Sequence, residues 1–190
     1  MEKRELNQTE KKGINLQDLL LTAVLLAAGA VLKFFVGSFI NIAGMKPNFI
    51  IAMYCMAIAL IRPKFYYSLI IGIIAGAICQ FFPGTPYLNF ASEAAGGLAM
   101  GLLIMIPAKT KRAKVGITAI ITFISTVISG GLYTVLLFVF IKSDPSAMGA
   151  YVPIVLGTAT LNSIIVGALY VPLMKVLKKP LVADSEEEAA

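Results

Sequence analysis

The chain has 190 residues, of which 58% are hydrophobic and only 14% are charged. No soluble domain of this size keeps so many apolar side chains away from water, so the composition excludes a soluble fold and predicts an integral membrane protein. The formal net charge is +6, but the basic residues lie in short clusters between apolar runs, which excludes a nucleic-acid-binding surface.

Six apolar runs follow one another along the chain, and most approach the roughly 20 residues that a helix needs to cross a bilayer. Because backbone polar groups inside a bilayer must be satisfied within the segment, each run is expected to be a helix. The sequence therefore predicts an all-α integral membrane protein with six transmembrane helices. The predicted helices cover residues 16–40, 47–61, 66–82, 88–106, 115–141 and 151–177.

The ends of these runs give further expectations. The second run is short for a full span, and Pro47 suits the first turn of its helix, where the missing N–H is not needed. Pro172 should kink the sixth helix. Residues 1–15 and 180–190 are expected to be a cytoplasmic N-terminal tail and an acidic C-terminal tail, on either side of one six-helix transmembrane domain of residues 16–179.

The distribution of positive charge predicts the orientation of the chain. Thirteen of the 16 Lys and Arg residues lie in the N-terminal tail, the second and fourth connections and the C-terminal segment. The opposite loops contain only Lys46 and Lys142, and Lys33 lies inside the first run. Since positively charged loops are retained on the cytoplasmic side, both termini are expected in the cytoplasm.

The residue types exclude several kinds of chemistry. The chain contains no histidine, and its two cysteines, Cys55 and Cys79, lie inside apolar runs, where free cysteine packs as a small hydrophobe. Proton relays through histidine, Ser-His or Cys-His nucleophiles and the usual zinc sites are therefore excluded. The sequence also lacks a G-x-x-x-x-G-K-[ST] loop for nucleotide phosphates. Without that loop, the chain is passive, uses an ion gradient, or takes energy from another protein. We expect no catalytic residue, no metal and no cofactor.

Two charged residues, Lys33 and Glu93, lie inside the apolar runs and away from their first and last turns. A charge at the centre of a membrane helix costs about 2.5 to 3.5 kcal/mol on insertion scales, so such residues often mark functional sites. With both termini in the cytoplasm, Lys33 and Glu93 fall at a similar depth near the outer face. One expectation is that they form a salt bridge with each other, or that Lys33 extends to the membrane surface. The other is that one or both contact a ligand in a polar pocket.

The outward loops supply four more candidates for ligand binding. Lys46 and Asn48 lie where the second helix begins, and the free N–H groups and positive dipole end of a helix favour a carboxylate. Tyr87 and Asn89 follow a proline-rich turn, where an aromatic ring either stacks on a ligand or lies in the interfacial belt. The loops are therefore expected to cover a pocket, although simple turns would have the same composition.

The first and sixth helices contain further candidates. Thr158 and Asn162 need polar partners within the membrane, and these are supplied either by another helix or by a ligand. Ala23 and Ala27 are four residues apart on the first helix, and such pairs of small residues let two helices approach closely. Similar glycine pairs are expected to pack within the chain, whereas Ala23 and Ala27 either do the same or face a partner helix.

Several of these features occur together in a known group of membrane proteins. They are the six predicted spans with both ends inside, the Ala-x-x-x-Ala pair, and short matching segments: Gly44-Met45-Lys46-Pro47-Asn48, Phe82-Pro83-Gly84 followed by Asn89, and Thr158-Ala159 with Asn162 and Tyr170 leading into Pro172. The chain thus resembles the substrate-binding S components of energy-coupling factor (ECF) transporters. Among them it most resembles the bacterial tryptophan-transport protein family.

The resemblance implies a multi-pass protein of the bacterial plasma membrane with a small-molecule pocket near its outer face. It also implies partners, namely one membrane coupling subunit and two ATPases. A zwitterionic amino acid would place its carboxylate at Lys46 or Lys33 and its ammonium at Glu93. We therefore expect the S component of an ATP-driven importer for tryptophan or a related small aromatic nutrient. The alternatives are an S component for a vitamin, a stand-alone ion-coupled secondary transporter that uses Glu93, and a scaffold that binds no ligand.

Overall fold

The computed structural model describes residues 14–39, 46–82, 85, 87–107, 110–141 and 148–178, and all regular structure in these ranges is helical. The helices are α1 (Leu16–Phe39), α2 (Ile50–Ile61), α3 (Phe65–Cys79), α4 (Leu88–Leu103), α5 (Lys111–Phe140) and α6 (Met148–Val176). The predicted all-α fold is therefore confirmed, and each predicted run corresponds to one helix. The predicted tails lie almost entirely outside the described residues, so the division into tails and domain stays a prediction.

Three segments are long and apolar enough to cross a bilayer, namely Leu16–Val36, Lys111–Phe140 and Gly149–Val176. The helices Ile50–Ile61 and Phe65–Cys79 are apolar but shorter. The chain is thus a membrane-embedded, multi-pass protein, as its composition predicts. Six complete spans and a cytoplasmic position of both termini stay predictions.

Helix α2 occupies the centre of the bundle. It contacts each of the other five helices, and residues 50–60 are all buried. With 12 residues it is about 18 Å long, well short of the roughly 30 Å of a hydrocarbon core. Such a short helix is tolerated because other helices, rather than lipid, surround it. Because every side of α2 is buried, the helix also has no polar face.

The start of α2 differs from the expected one. Pro47 lies outside the helix, which begins at Ile50 with Phe49 as its N-cap residue, so the placement of Pro47 in the first turn is wrong. Instead, the side-chain oxygen of Asn48 accepts a hydrogen bond from the Ile50 N–H at 3.3 Å. One free N–H group of the first turn therefore finds a side-chain acceptor.

Helices α3 and α4 pack with their backbones in close contact. A Cβ atom at Gly76 would lie 2.7 Å from the Asn89 carbonyl oxygen, and one at Gly97 would lie 2.6 Å from the Ser68 carbonyl oxygen. Only glycine permits such an approach, so the expectation that the glycine pairs pack within the chain is confirmed. The contact sets the position of the first turns of α4.

Helix α1 lies at the periphery. It packs against α2 and, over a smaller area, against α3, whereas α3, α4, α5 and α6 form a continuous series of neighbours around α2. The opposite face of α1 is exposed, and it includes Ala23 and Ala27 together with Leu20, Val24 and Val31. The partner-facing alternative for the two alanines agrees with this exposure and stays a prediction.

Candidate functional site

Polar and charged side chains meet at one end of the bundle, on the side where α1, α3 and α5 end and α2, α4 and α6 begin. A cavity of about 200 Å³ opens there, far larger than the roughly 10 to 15 Å³ needed for one water molecule. All six helices contribute to its wall, which we call the pocket. The pocket is lined by Lys33, Phe34, Lys46, Asn48, Ile51, Cys79, Phe82, Asn89, Glu93, Thr126, Ser129, Gly130, Tyr133, Ile154, Val155 and Thr158.

Glu93 is the acidic residue of the pocket and is only 1% exposed. Its Oε1 accepts a hydrogen bond from Asn48 Nδ2 at 2.5 Å, and its Oε2 accepts one from Ser129 Oγ at 3.0 Å. Hydrogen bonds of this kind stabilise a carboxylate. Because a carboxylate has about four lone-pair sites, Glu93 retains the capacity to accept a further donor from a ligand.

Asn48 links four helices around that carboxylate. Its side-chain oxygen accepts from the Ile50 N–H at the start of α2. Its side-chain nitrogen donates to Glu93 and lies 3.6 Å from Cys79 Sγ. Its backbone carbonyl oxygen accepts a hydrogen bond from Asn162 Nδ2 at 3.1 Å. Asn48 therefore joins the start of α2 to α3, α4 and α6.

Lys33 brings positive charge to the same pocket. Its Nζ donates to Cys79 Sγ at 3.2 Å and lies 5.0 Å from the centroid of the Phe82 ring. A thiol is a weak acceptor, and a cation–π contact contributes only about 0.5 to 1 kcal/mol where it is solvated. None of these contacts joins Lys33 to Glu93, so the salt-bridge alternative is not what the structure shows. The ammonium group is thus placed to donate to a stronger, anionic acceptor.

Tyr54, in the middle of α2, adds a hydroxyl group beneath the pocket. The hydroxyl lies next to Ser129 and Glu93, yet it makes no hydrogen bond of acceptable geometry in this structure. Gly96 leaves room for it, because any Cβ atom at that position would overlap the hydroxyl. The buried side of Glu93 therefore faces hydroxyl groups rather than apolar atoms alone.

The rest of the wall is apolar and aromatic. Phe34, Phe82 and Tyr133 line the pocket together with the aliphatic residues Ile51, Ile154 and Val155. An apolar wall with a few converging polar groups is typical of small-molecule sites. This pocket differs from a purely apolar one in carrying both signs of charge.

Most of the residues predicted from the sequence meet here. Lys33, Lys46, Asn48, Asn89, Glu93 and Thr158 all line the pocket. Asn162 is fully buried but lies behind the wall, where it contacts the backbone of Asn48. Tyr87 is 75% exposed and does not line the pocket. Residues 40–45, 83–84 and 142–147 lie outside the described part of the chain, so the predicted cover of the pocket by loops stays a prediction.

Sequence reasoning missed Cys79, Thr126, Ser129 and Tyr133, which also line the pocket. The sequence pattern that could have identified the pocket residues of α5 is a stripe of hydroxyl side chains at helical spacing. All its members are buried: Thr118, Thr122, Ser125, Thr126 and Ser129. Cys79 was expected only to fill apolar space, whereas its sulfur also contacts Lys33. A cysteine next to the end of a helix carries no sequence signal that separates these roles.

Comparison with known proteins agrees with the resemblance found in the sequence. The family model described as "Tryptophan transporter TrpP" matches residues 15–178. A relative from Bacillus subtilis (strain 168), described as "Probable tryptophan transport protein", is 28% identical over 168 residues, which cover 86% of this chain and 94% of the relative. No solved structure matches the chain. Because the family model spans most of the chain, including every helix described above, the chain belongs to the tryptophan transporter TrpP family.

Proposed function

We propose that the chain is the substrate-binding S component of an ECF-type, ATP-driven importer, and that its substrate is tryptophan or a related small aromatic nutrient. The observation that carries the proposal is the pocket itself, which places a lysine and a buried glutamate in one wall without direct contact between them. The family membership and the name of the Bacillus subtilis relative support the choice of an amino acid. On the predicted orientation, the pocket opens to the outside of the cell.

A zwitterionic aromatic amino acid matches the groups of the pocket. Its carboxylate replaces the weak partners of Lys33 or binds Lys46, and its ammonium donates to a free lone pair of Glu93. Its ring packs against Phe34, Phe82 or Tyr133, where offset or edge contacts between aromatic rings contribute about 0.5 to 1.5 kcal/mol beyond burial. Each part of the ligand thus finds a group of matching chemistry.

The energy for uptake comes from partners in this proposal. The sequence has no phosphate-binding loop of the P-loop type, so one membrane coupling subunit and two ATPases supply the driving force. The exposed face of α1 with Ala23 and Ala27 fits a close contact with the coupling subunit, because two small residues one turn apart let another helix approach. The peripheral position of α1 leaves this face accessible.

Equilibrium binding to the purified chain in lipid nanodiscs tests the pocket. L-Tryptophan should bind, whereas tryptamine, which lacks the carboxylate, and indole-3-propionate, which lacks the ammonium, should bind more weakly. Glu93→Gln should weaken tryptophan binding about 30-fold, the scale expected when a charged group loses its buried partner. Thr160→Ala is the matched control, since Thr160 is exposed and its hydroxyl bonds only within its own helix, to the Leu156 carbonyl at 2.9 Å.

Four outcomes would contradict the proposal or change part of it. Unchanged tryptophan affinity in Glu93→Gln would remove the role of Glu93 in ligand binding. Tryptophan uptake by the purified chain alone in liposomes, driven by an ion gradient and without ATPases, would identify an ion-coupled secondary transporter instead. Binding of a vitamin in preference to tryptophan would keep the S-component assignment and replace its substrate, and the lack of any ligand would favour a scaffold.

A further inference from the structure

Asn162 is a polar residue with no direct place in the pocket. It lies on α6, it is fully buried, and it does not line the cavity. Its side-chain nitrogen donates to the Asn48 carbonyl oxygen at 3.1 Å and lies 3.4 Å from Thr126 Oγ1. A side-chain amide buried among membrane helices needs hydrogen-bond partners. The identity of these partners therefore indicates what Asn162 does.

The segment that Asn162 holds is not helical. Residues 46–48 precede α2 without regular structure, so no ladder of helical hydrogen bonds sets the position of the Asn48 backbone. Irregular backbone at membrane depth persists only where other groups satisfy it. The amide of Asn162 does this for the Asn48 carbonyl, and the side chain of the same Asn48 donates to Glu93 at 2.5 Å.

We propose that Asn162 is a positioning residue for ligand recognition: it holds the backbone of Asn48, and through Asn48 it orients the Glu93 carboxylate towards the ligand. The inference rests on the proposed function, because it assigns Glu93 to the ligand's ammonium group. Asn162 itself does not touch the ligand. The chain of contacts runs from α6 through the start of α2 to α4.

A purely structural role for Asn162 makes different predictions, and the chain provides a matched control for it. The neighbouring residue Ser163 also joins α6 to another helix by a side-chain bond to a backbone carbonyl, with its Oγ 2.8 Å from the Ala119 oxygen. That bond leads away from the pocket. Asn162→Ala and Ser163→Ala therefore remove comparable links between helices, and only the first should affect Glu93.

The first measurement needs no ligand. In protein labelled with ¹⁵N at asparagine, the side-chain amide protons of Asn48 should resonate at unusually low field, because short bonds to a carboxylate are strong. Asn162→Ala should move this signal towards its position in Glu93→Gln, whereas Ser163→Ala should leave it unchanged. An Asn48 signal that is the same in Asn162→Ala and in wild type would overturn the proposal. Asn162→Thr, which retains a hydroxyl, replaces Asn162→Ala if the latter does not fold.

The second measurement compares ligands with and without the ammonium group. Asn162→Ala should weaken L-tryptophan binding by about tenfold, the effect expected for loss of one well-placed hydrogen bond, and should leave indole-3-propionate binding unchanged. The double variant Asn162→Ala/Glu93→Gln should bind tryptophan no more weakly than Glu93→Gln alone, since both changes act on one interaction. Equal weakening for both ligands would show a general effect on the fold and refute the positioning role.

If wild type binds neither ligand, the proposed function fails, and the amide signal still decides whether Asn162 positions Asn48.

Discussion

Replacing Gly76 with alanine tests whether the close packing of α3 and α4 holds the pocket in place. The new Cβ atom would lie 2.7 Å from the Asn89 carbonyl oxygen and 2.8 Å from the Phe90 Cα, whereas ordinary van der Waals contact begins at 3.4 Å. Both neighbours are backbone atoms, so no side-chain rotation relieves the overlap and the first turn of α4 must move by about 0.7 Å. Overpacking of this kind costs about 1 to 3 kcal/mol.

Two measurements should show the effect. The thermal unfolding midpoint of Gly76→Ala in detergent should fall by about 2 to 10 °C, and its tryptophan affinity should fall by about tenfold, because Asn89 lines the pocket and Glu93 follows one turn later. Gly157→Ala is the control, since no atom lies within 4 Å of a Cβ atom there. In that variant the better helix propensity of alanine should leave the midpoint unchanged or raise it. If both variants share one midpoint and one affinity, the packing of α3 on α4 does not position the site.

Two further predictions concern orientation and partners. In a chain without its native cysteines, a cysteine at Thr110 should react with a membrane-impermeant maleimide only from the cytoplasmic side, and one at Tyr87 only from outside; the reverse pattern would place the pocket inside. Ala27→Trp should abolish uptake by cells that contain the coupling subunit and ATPases, yet leave tryptophan binding by the isolated chain within about twofold, because a bulky side chain blocks helix approach. Ile164→Trp, on the exposed face of α6, should affect neither, and loss of binding in Ala27→Trp would show that Ala27 packs within the chain.

The helices were predictable because the bilayer imposes a simple rule on the sequence. Each span must be a long apolar segment with its backbone satisfied internally, so the runs show where helices begin and end to within a few residues. The central position of α2 was not predictable. Its apolar sequence fits either a short span in lipid or a helix enclosed by protein, and only the packing of the other five helices separates these cases.

Site residues were predictable from the sequence where placing the side chain in a membrane helix costs free energy. Lys33 and Glu93 stood out because charges in membrane helices are rare, and both line the pocket. Ser129 carries no such cost, since a serine hydroxyl in a helix can bond to its own backbone, and its bond to Glu93 depends on how α4 and α5 pack. Asn162 was found as a polar residue, but its action through Asn48 depends on a long-range contact that no local pattern contains.

The separation of the two charges bears on how the pocket binds a ligand. A zwitterion would have to separate a direct ion pair between Lys33 and Glu93 before its own carboxylate and ammonium could pair with them. In the structure Lys33 contacts a thiol and a ring face instead, and Glu93 contacts neutral donors. On the proposed function, a ligand carboxylate would displace only weak partners, and a ligand ammonium would meet a carboxylate already held in orientation. On that proposal the arrangement lowers the ordering cost of binding, and the affinity should depend on the neutral residues that keep the charges apart as much as on the charges themselves.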